Sequence, residues 1–269
     1  MDTQSLFTLE GRTALVTGGS RGIGKMIASG FIGQGAKVYI SSRKAEVCET
    51  VAGELGPNCI AVPQDISTVE GCKALAATMA EHEDCIDILV NNAGAAWGES
   101  FESHPEEGWD KVMNLNLKSV FFLTQAMHGL LKASASNQKP AKVINISSID
   151  GIRLSAWDTY SYQASKAALI HLTKRMAARL VQDKIYVTSI APGAFASEMN
   201  KAARDLSEVV GKHVPAGRIG NDEDMAGIAI YLAARSGDYV VGETVAVDGG
   251  VVNAQMAQGW DIDPAGSGA

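Results

Sequence analysis

Short apolar runs, several of them β-branched, alternate along the chain with longer segments of helical spacing. Most of the runs lack the apolar–polar alternation of a half-exposed strand, as expected when helices cover both faces of a parallel sheet. The pattern predicts an α/β fold: one doubly wound domain over residues 1–269, with a seven-stranded parallel sheet flanked by helices on both faces. The candidate strands are 14–16, 37–40, 60–62, 88–90, 143–146, 187–190 and 244–247.

Two candidate helices carry start signals. Ser67 and Glu70 form an S-x-x-E pattern typical of a capping box, and Asn221 precedes three acidic residues that suit a helix N-terminus. Longer helices are predicted around 109–132 and 158–181, and residues 261–269 have the small, polar composition of a loose tail. Because ligands of an open doubly wound sheet bind beyond the carboxyl ends of its strands, the chemistry should lie in the loops that follow them.

Composition argues against several classes of protein. The chain has 23 Lys and Arg against 30 Asp and Glu, a net charge of −7, which does not suit a general nucleic-acid binder. No apolar stretch approaches the roughly 20 residues that span a bilayer. The first residues lack the regions of a signal peptide, so we expect a cytoplasmic protein. The four cysteines and five histidines show no zinc or redox spacing, so we expect no metal site.

A glycine-rich turn follows the first predicted strand and directly precedes a candidate helix. Glycine permits a tight turn and a close approach of the backbone to a ligand, while a helix N-terminus offers free N–H groups to an anion. The glycines could be simple turn punctuation, but between a strand and a helix they indicate a dinucleotide pyrophosphate site. The candidate contacts in this turn are Gly18, Ser20, Arg21, Gly22, Ile23 and Gly24.

Further motifs stand downstream of this turn. In chain order they are Asn91-Asn92-Ala93-Gly94, Asn116, Ser148, Tyr162 with Lys166, and Pro192-Gly193. Together with the G-x-x-x-G-x-G spacing of the turn, they resemble the short-chain dehydrogenase/reductase family over residues 9–253. Several motifs in the expected order are far more specific than one. The resemblance implies a Rossmann fold and a nicotinamide-dependent oxidoreductase.

Tyr162 and Lys166 lie four residues apart, so a helix would place both side chains on one face. An unperturbed tyrosine titrates near pH ~10, and a neighbouring ammonium should lower its pKa toward the range useful for proton transfer. Tyr160 is a second candidate, but Ala164 stands four residues after it and supplies no charge. Tyr162 is therefore the better candidate for the proton-transferring phenol.

The family resemblance implies a role for each polar residue of the set. It makes Tyr162 the general acid in carbonyl reduction and Ser148 a hydrogen-bond donor to the substrate oxygen. It makes Lys166 a ligand of the nicotinamide ribose and Asn116 the holder of a water in the proton path. Ser147 is adjacent to Ser148, and the choice of Ser148 follows the family pattern rather than spacing.

The loop after the second predicted strand bears on cofactor choice. An enzyme that prefers NAD places an acid there for the ribose 2′-hydroxyl, whereas this chain has Ser42, followed by Arg43. Arg43 and Arg21 could bind a 2′-phosphate, so NADP(H) is predicted, although Arg43 could instead begin a solvated helix. The resemblance implies further cofactor contacts at Asp65, Ile66, Asn92, Ala93, Gly94, Tyr162, Lys166, Pro192, Gly193 and Ser197.

The substrate is expected to lie beneath a variable lid at about 194–215. The candidate pocket residues are Trp97, Ile149, Trp157 and Phe195. The three aromatic residues among them could equally pack within the lid.

Within the family, segments 97–103, 108–113 and 145–148 resemble the 3-oxoacyl-[acyl-carrier-protein] reductases associated with rhamnolipid synthesis. The resemblance implies a small-molecule carbonyl substrate, a 3-oxoacyl thioester on acyl carrier protein or coenzyme A. The alternatives are an NADP-dependent dehydrogenase of a sugar, polyol or secondary alcohol, and a noncatalytic NADPH-sensing module. The resemblance further implies a homotetramer formed through the two long helices, with a second contact near the carboxyl terminus.

Overall fold

Seven parallel strands form the centre of the protein. The structure, a computed structural model, describes residues 3–254, so the expected tail at 261–269 lies outside the described residues. The strand order is β3-β2-β1-β4-β5-β6-β7, which confirms the doubly wound sheet. The strands are β1 Thr13–Thr17, β2 Lys37–Ser41, β3 Cys59–Ala61, β4 Ile88–Asn91, β5 Ala141–Ile146, β6 Ile185–Pro192 and β7 Thr244–Val247.

Helices cover both faces of this sheet. Helices α1, α2 and α10 pack on one face, and α3, α5, α6 and α7 pack on the other. Short helices α8 and α9 lie in the predicted lid. The helices are α1 Gly22–Gly33, α2 Ala45–Leu55, α3 Val69–His82, α4 Glu106–Met113, α5 Ser119–Ala126, α6 His128–Ser134, α7 Tyr160–Leu180, α8 Lys201–Asp205, α9 Ser207–Gly211 and α10 Asp222–Ala233.

The core explains why the strand sequences do not alternate between apolar and polar residues. Successive residues of a strand point to opposite faces of the sheet. In β1, Ala14 and Val16 enter the core beneath α1 and α10, whereas Leu15 enters the core beneath α3 and α5. All three are fully buried. Both faces of the central strands therefore require apolar side chains.

One of the two predicted helix starts is correct, and the other is shifted by a residue. Asn221 is the N-cap of α10, as predicted, and the structure adds that Asn221 and Asp224 form a reciprocal capping box. The predicted capping box of Ser67 is wrong, because Thr68 is the N-cap of α3 and accepts a hydrogen bond from Gly71 N at 3.1 Å. The N–H group of Ser67 is already bonded to the Asp65 carboxylate at 2.9 Å, which holds Ser67 in the preceding turn.

The two long helices differ in regularity. The predicted helix at 158–181 corresponds to α7, which is continuous over Tyr160–Leu180. The predicted helix at 109–132 is divided into α4, a π-helical segment Asn114–Lys118, α5 and α6. Between residues 3 and 254, none of the helices has both the length and the apolar character required to cross a bilayer.

Candidate active site

The glycine-rich turn joins β1 to α1 at the carboxyl edge of the sheet. Gly18 and Gly22 have positive φ angles of 65° and 50°, which glycine adopts without strain. A Cβ atom on Gly24 would lie only 2.3 Å from the Gly18 carbonyl oxygen, so a side chain at this position requires the backbone to move. Arg21 is the N-cap residue of α1, and none of the side chains in residues 3–254 caps this helix N-terminus. The turn therefore presents open backbone N–H groups suited to phosphate.

Thr17 and Asn92 fix this turn against the loop after β4. The buried Thr17 hydroxyl donates to Val90 O at 3.2 Å and accepts from Asn92 N at 3.0 Å and Ala93 N at 3.1 Å. Asn92 Nδ2 returns a hydrogen bond to Thr17 O at 2.8 Å and another to Gly18 O at 3.2 Å. Thr17 and Asn92 thus hold the loops after β1 and β4 together at the carboxyl edge of the sheet, which we call the cofactor edge.

The loop after β2 places the second arginine beside the same turn. Gly18 N donates to Ser41 O at 2.7 Å, which connects the glycine turn to the end of β2, directly before Ser42 and Arg43. Arg43 and Arg21 are both exposed. In the loop after β3, the Ile66 side chain is buried in the core. The predicted cofactor contact of Ile66 would therefore be made by its backbone.

Ser148 and Tyr162 lie together where β5 ends and α7 begins. The Ser148 hydroxyl lies close enough to the Tyr162 phenol to favour its ionised form, and it accepts a hydrogen bond from Asp150 N at 3.1 Å. Ser147 has a different environment, since its hydroxyl donates to Ile190 O at 2.9 Å and accepts from Ser189. Ser147 is thus occupied in joining β5 to β6, while Ser148 faces the phenol.

Tyr160 is directed elsewhere. Its hydroxyl donates to the Asp158 carboxylate at 2.9 Å, and its ring packs edge-on against Phe101 and His104. Tyr162 is less exposed and lies beside Ser148. This geometry agrees with the choice of Tyr162 over Tyr160 as the candidate acid.

Lys166 is buried one helical turn from Tyr162. Its Nζ donates to Ile146 O at 2.7 Å and lies 5.6 Å from the centroid of the Tyr162 ring. Asn116 is also buried, and its amide bonds both backbone groups of Ala95 and donates to Ser165 Oγ at 3.1 Å. These contacts anchor the π-helical segment Asn114–Lys118 to the loop beyond Gly94. A π-helical irregularity of this kind often marks a functional site.

The electrostatics of Tyr162 differ from the sequence expectation. Burial raises the pKa of Tyr162 to about 12, the Ser148 hydroxyl opposes this rise, and the nearby Asp150 carboxylate adds to it. Burial also lowers the pKa of Lys166 to about 8. The expectation that Lys166 acidifies Tyr162 is therefore wrong for this structure, because desolvation dominates and the Lys166 ammonium is bonded to a carbonyl. The phenol is protonated at neutral pH, the form that can donate a proton.

Pro192 and Gly193 bring the lid to the cofactor edge. Pro192 ends β6, and Gly193 N donates to Val247 O at 2.9 Å. Ser197 accepts a hydrogen bond from Asn200 N at 3.0 Å, and its Cβ would lie 3.2 Å from a Cβ on Gly22. The lid therefore begins directly against the glycine turn.

The four candidate pocket residues occupy different environments. Phe195 is 2% exposed and packs in the main core, and Ile149 forms a small buried cluster with Val214 of the lid and Val251. The Trp97 ring covers Gly108 of α4. Trp157, in contrast, is 70% exposed at the loop before α7. These contacts give Phe195 and Trp97 clear packing roles, while the assignment of all four to the pocket stays a prediction.

Sequence reasoning missed several hydrogen bonds of buried polar residues that support the site. Besides Thr17, an amide network crosses the sheet: Asn91 Nδ2 donates to Asn145 Oδ1 at 2.9 Å, and Asn145 Nδ2 donates to Thr173 Oγ1 at 2.9 Å. Asn145 is fully buried, and the network joins β4 and β5 to α7. Polar residues within otherwise apolar strands are the signal that could have identified them.

The fold, the glycine turn and the Ser148, Tyr162 and Lys166 set define a nicotinamide-dependent oxidoreductase with a Rossmann fold. The chain belongs to the short chain dehydrogenase family, whose model matches residues 12–207. It is 47% identical over 249 residues to the rhamnolipids biosynthesis 3-oxoacyl-[acyl-carrier-protein] reductase of Pseudomonas aeruginosa, covering 91% of this chain and 97% of that protein. The predicted family membership is thereby confirmed, and so is the predicted resemblance of this chain to the rhamnolipid-pathway reductases.

A second relative and two solved structures match the chain over a similar length. The chain is 41% identical to the 2-dehydro-3-deoxy-D-gluconate 5-dehydrogenase of Bacillus subtilis, over 91% of this chain and 96% of the relative. The Pseudomonas aeruginosa RhlG/NADP active-site complex has a TM-score of 0.89 and 45% identity, over 92% of this chain and 99% of that chain. A Burkholderia cenocepacia gluconate 5-dehydrogenase in complex with NADP and tartrate has a TM-score of 0.85 and 34% identity, over 94% and 99%.

Proposed function

We propose that this protein is an NADPH-dependent reductase that converts the ketone of a 3-oxoacyl thioester to a secondary alcohol. The observation that carries the proposal is the position of Tyr162 near both Ser148 and Lys166, at the same carboxyl edge of the sheet as the glycine turn. A protonated phenol next to a second hydroxyl is suited to a carbonyl oxygen that gains negative charge during reduction. The similarity to the rhamnolipid-pathway reductase supports the thioester as substrate.

The residues at the cofactor edge fit NADP(H). The glycine turn would hold the pyrophosphate through the uncapped backbone N–H groups at the start of α1. The absence of a side chain at Gly24 keeps this turn tight, because a Cβ there would lie 2.3 Å from Gly18 O. Arg21 and Arg43 would bind the 2′-phosphate as charged hydrogen-bond donors. The remaining proposed contacts are Ser20, Ile23, Ser42, Asp65, Ile66, Asn92, Ala93, Gly94, Pro192, Gly193 and Ser197. When bound, NADPH supplies the hydride. The NADP named in two similar solved structures supports this choice.

The catalytic residues then divide the remaining chemistry. Ser148 donates a hydrogen bond to the substrate oxygen, and Tyr162 donates the proton that completes the alcohol. Lys166 would bind the cofactor ribose, and its ammonium, 5.6 Å from the centroid of the Tyr162 ring, would be the nearby proton source for the phenol. Asn116, fixed by Ala95 and Ser165, positions the water through which that proton is replenished.

The entrance to the site suits an acyl chain. Leu154 and Trp157 precede α7 and are 89% and 70% exposed, and Phe101, which packs against Tyr160, is 76% exposed. Exposed large apolar groups that cluster on one side of a site commonly mark a binding surface. We propose that these loops contact the acyl or pantetheine portion of a thioester carried on acyl carrier protein or coenzyme A.

A second candidate is an NADP-dependent dehydrogenase of a sugar acid, polyol or other secondary alcohol. The 41% identity to a 2-dehydro-3-deoxy-D-gluconate 5-dehydrogenase favours it, since such an enzyme would use the same catalytic residues. A noncatalytic NADPH-sensing module is disfavoured, because sensing has no need of the Ser148, Tyr162 and Lys166 set.

The test is to follow NADPH oxidation with acetoacetyl thioesters, longer 3-oxoacyl thioesters on both carriers, diketones and ketosugars. We expect the highest kcat/KM with a 3-oxoacyl thioester. Turnover of a ketosugar at a higher kcat/KM than every thioester would contradict the substrate assignment. The control Tyr162→Phe should keep NADPH affinity while losing at least about a hundredfold in kcat, the usual size of a general-acid contribution.

Cofactor preference has its own test. Arg43→Glu should weaken NADPH binding at least about tenfold through loss of a charged contact of about 1.5 kcal/mol or more, with little change for NADH. Arg235→Glu, which changes an arginine outside the proposed cofactor site, is the matched control. Equal loss of both cofactors in Arg43→Glu would refute the 2′-phosphate assignment.

We further propose a single cytoplasmic domain over residues 1–269 that assembles as a homotetramer. The proposed contacts are the helices α4–α6 and α7, with a second contact near the carboxyl terminus. Two exposed apolar residues, Trp109 on α4 and Phe121 on α5, support an interface there. Light scattering that finds only the 28.2 kDa species would refute the tetramer.

A further inference from the structure

A partly enclosed cavity of about 140 Å³ lies at the carboxyl ends of β6 and β7, between the two ends of the lid. Its apolar lining consists of Ala194, Phe195, Val214, Ala216 and Val247. Apolar cavities of comparable size, ~150 Å³, stay dry and bind benzene. This cavity therefore has room for an apolar group of about six carbons.

Backbone hydrogen bonds and close packing fix the walls of the cavity. Ala216 N donates to Gly249 O at 3.0 Å, and Gly220 N donates to Ala194 O at 2.9 Å. The Phe195 ring is pressed against Gly220, where a Cβ would lie 2.3 Å from the ring. Because the segments around it are held by these contacts, the cavity is preformed and does not depend on a ligand to open it.

The charged residues that line the cavity are paired with other groups. Arg218 and Asp224 form a two-point ion pair, in which the distance from Nη2 to Oδ1 is 3.0 Å. Asp248 accepts hydrogen bonds from Gly250 N at 2.9 Å and Val252 N at 2.7 Å. An apolar ligand can therefore enter the cavity without leaving a charge unpaired.

Val214 connects this cavity to the catalytic serine. It lines the cavity and also packs in a small buried cluster with Ile149, which directly follows Ser148. Only β6 separates β5, which leads to Ser148, from β7, so the ends of these two strands lie about 10 Å apart. The cavity is thus within reach of an alkyl chain attached to a carbonyl group at Ser148.

The two sides of the catalytic site differ in the same way as the two arms of a 3-oxoacyl thioester. One arm of the reacting ketone leads to the thioester and its carrier, and the other is an alkyl chain. The side at the start of α7 is open and carries the exposed Phe101 and Trp157, whereas the cavity is enclosed between the lid and β7. A bulky carrier fits only the open side, so the alkyl arm is directed toward the cavity.

We propose that the cavity is the subsite for the distal end of the alkyl chain, and that Val214 is a specificity-determining residue that sets the accepted chain length. Methylenes gain free energy on leaving water for such a lining, which offers few partners to the hydroxyls of a sugar. The inference rests on the proposed reductase function for the identity of the substrate. Binding of an alkyl chain can be measured without turnover.

The first experiment measures the affinity of S-alkyl pantetheine thioethers, from butyl to dodecyl, by calorimetry in the presence of NADP. These probes contain no ketone and are not reduced, and the pantetheine arm is common to both carriers. Each methylene that enters the cavity should improve the affinity about fourfold until the cavity is full. Failure of the whole series to bind, or an affinity that is independent of chain length, would overturn the proposal.

Variants of Val214 test which wall sets the length. Val214→Phe should fill the cavity and weaken decyl binding at least about tenfold, the contribution of about two methylenes, while butyl binding changes less than about twofold. Val214→Ala should enlarge the cavity and move the longest accepted chain about two carbons upward. If Val214→Phe does not fold, the upward shift in Val214→Ala decides alone.

The matched control is Val209→Phe, the same substitution at a lid position that is 53% exposed and outside the cavity lining. It should leave the dependence on chain length unchanged. Equal effects of Val214→Phe and Val209→Phe, or a longest accepted chain that does not move in Val214→Ala, would show that Val214 does not set the length.

The second experiment compares kcat/KM for short and long 3-oxoacyl thioesters. In Val214→Phe the ratio of long to short should fall at least about tenfold, while kcat for the short thioester stays unchanged. Thioester turnover without any dependence on chain length would refute the subsite but keep the proposed function. Turnover of ketosugars alone, with length-dependent alkyl binding intact, would refute the thioester as substrate but keep the subsite.

Discussion

Thr17 connects the fold to the proposed cofactor edge, and its hydroxyl provides a quantitative test of this connection. The side chain is 1% exposed, and its Oγ1 accepts hydrogen bonds from the backbone N–H groups of Asn92 and Ala93 while donating to Val90 O. Thr17→Val keeps the shape of the side chain but removes all three bonds. Two backbone donors are then left without their partner near the sheet edge.

The magnitude follows from those two donors. Leaving a buried donor unsatisfied costs about 1–3 kcal/mol, and the N–H groups of Asn92 and Ala93 are only part-buried, so each should cost no more than about 2 kcal/mol. We therefore expect Thr17→Val to lower the free energy of unfolding by about 2–4 kcal/mol. Thr17→Ser is the matched control, since it retains the hydroxyl and removes one methyl group worth about 0.8 kcal/mol. The difference between the two variants reports the hydrogen bonds rather than the volume.

The assay is urea unfolding of both variants at one protein concentration, because an oligomer's stability depends on concentration. NADPH binding, followed by fluorescence, is measured in parallel. We expect Thr17→Val to weaken NADPH binding about tenfold, a cost of about 1.4 kcal/mol, since the Asn92–Gly94 loop loses its register with the turn. Unfolding free energies of the two variants within about 0.5 kcal/mol of each other would refute the reasoning.

Two further predictions concern close packing and buried charge. Gly24→Ala should weaken NADPH binding more than about tenfold, because its Cβ would lie 2.3 Å from the Gly18 carbonyl, whereas Gly33→Ala in the same helix meets nothing within 4 Å and should leave binding unchanged. Binding measurements on both variants check this. Asp238→Asn should lower the free energy of unfolding by about 3 kcal/mol, measured in urea, because the buried Lys142 loses its counterion. Lys142 is 2% exposed, and its Nζ lies 2.8 Å from the Asp238 carboxylate. Adding Lys142→Met should recover most of the lost stability. Burial lowers the pKa of Lys142 in the folded protein, so the folded state binds fewer protons than the unfolded state at a pH between the two pKa values. The Asp238→Asn variant should therefore gain stability as the pH rises toward the pKa of lysine in the unfolded chain.

The fold could be predicted from the sequence because its determinants are local and periodic. Each of the seven predicted strands overlaps a strand of the structure, since continuous apolar runs mark buried parallel strands. The helix starts were harder to predict, because neighbouring side chains compete for the same backbone N–H groups. Asn221 was predictable because its partner Asp224 follows within the same turn, whereas Ser67 was not, because Asp65 takes its N–H group.

The candidate site was predictable in its members but not in its electrostatics. The Y-x-x-x-K spacing places Tyr162 and Lys166 on one helix face, and α7 does bring them together. Spacing carries no information about desolvation, which raises the pKa of Tyr162 and lowers that of Lys166. It also cannot show that Lys166 finds a carbonyl on β5, a contact that depends on the packing of helix on sheet.

The residues that sequence reasoning missed share one physical property, which is a side-chain hydrogen bond to a distant strand or loop. Thr17 joins β1 to the loop after β4, and Asn145 joins β5 to both β4 and α7. Such bonds make the carboxyl edge of the sheet rigid, because each loop is held by a group outside its own element. A preorganised edge lets Ser148 and Tyr162 meet a developing oxyanion without rearrangement, so rigidity supplied by Thr17 and Asn145 should appear in kcat as well as in stability.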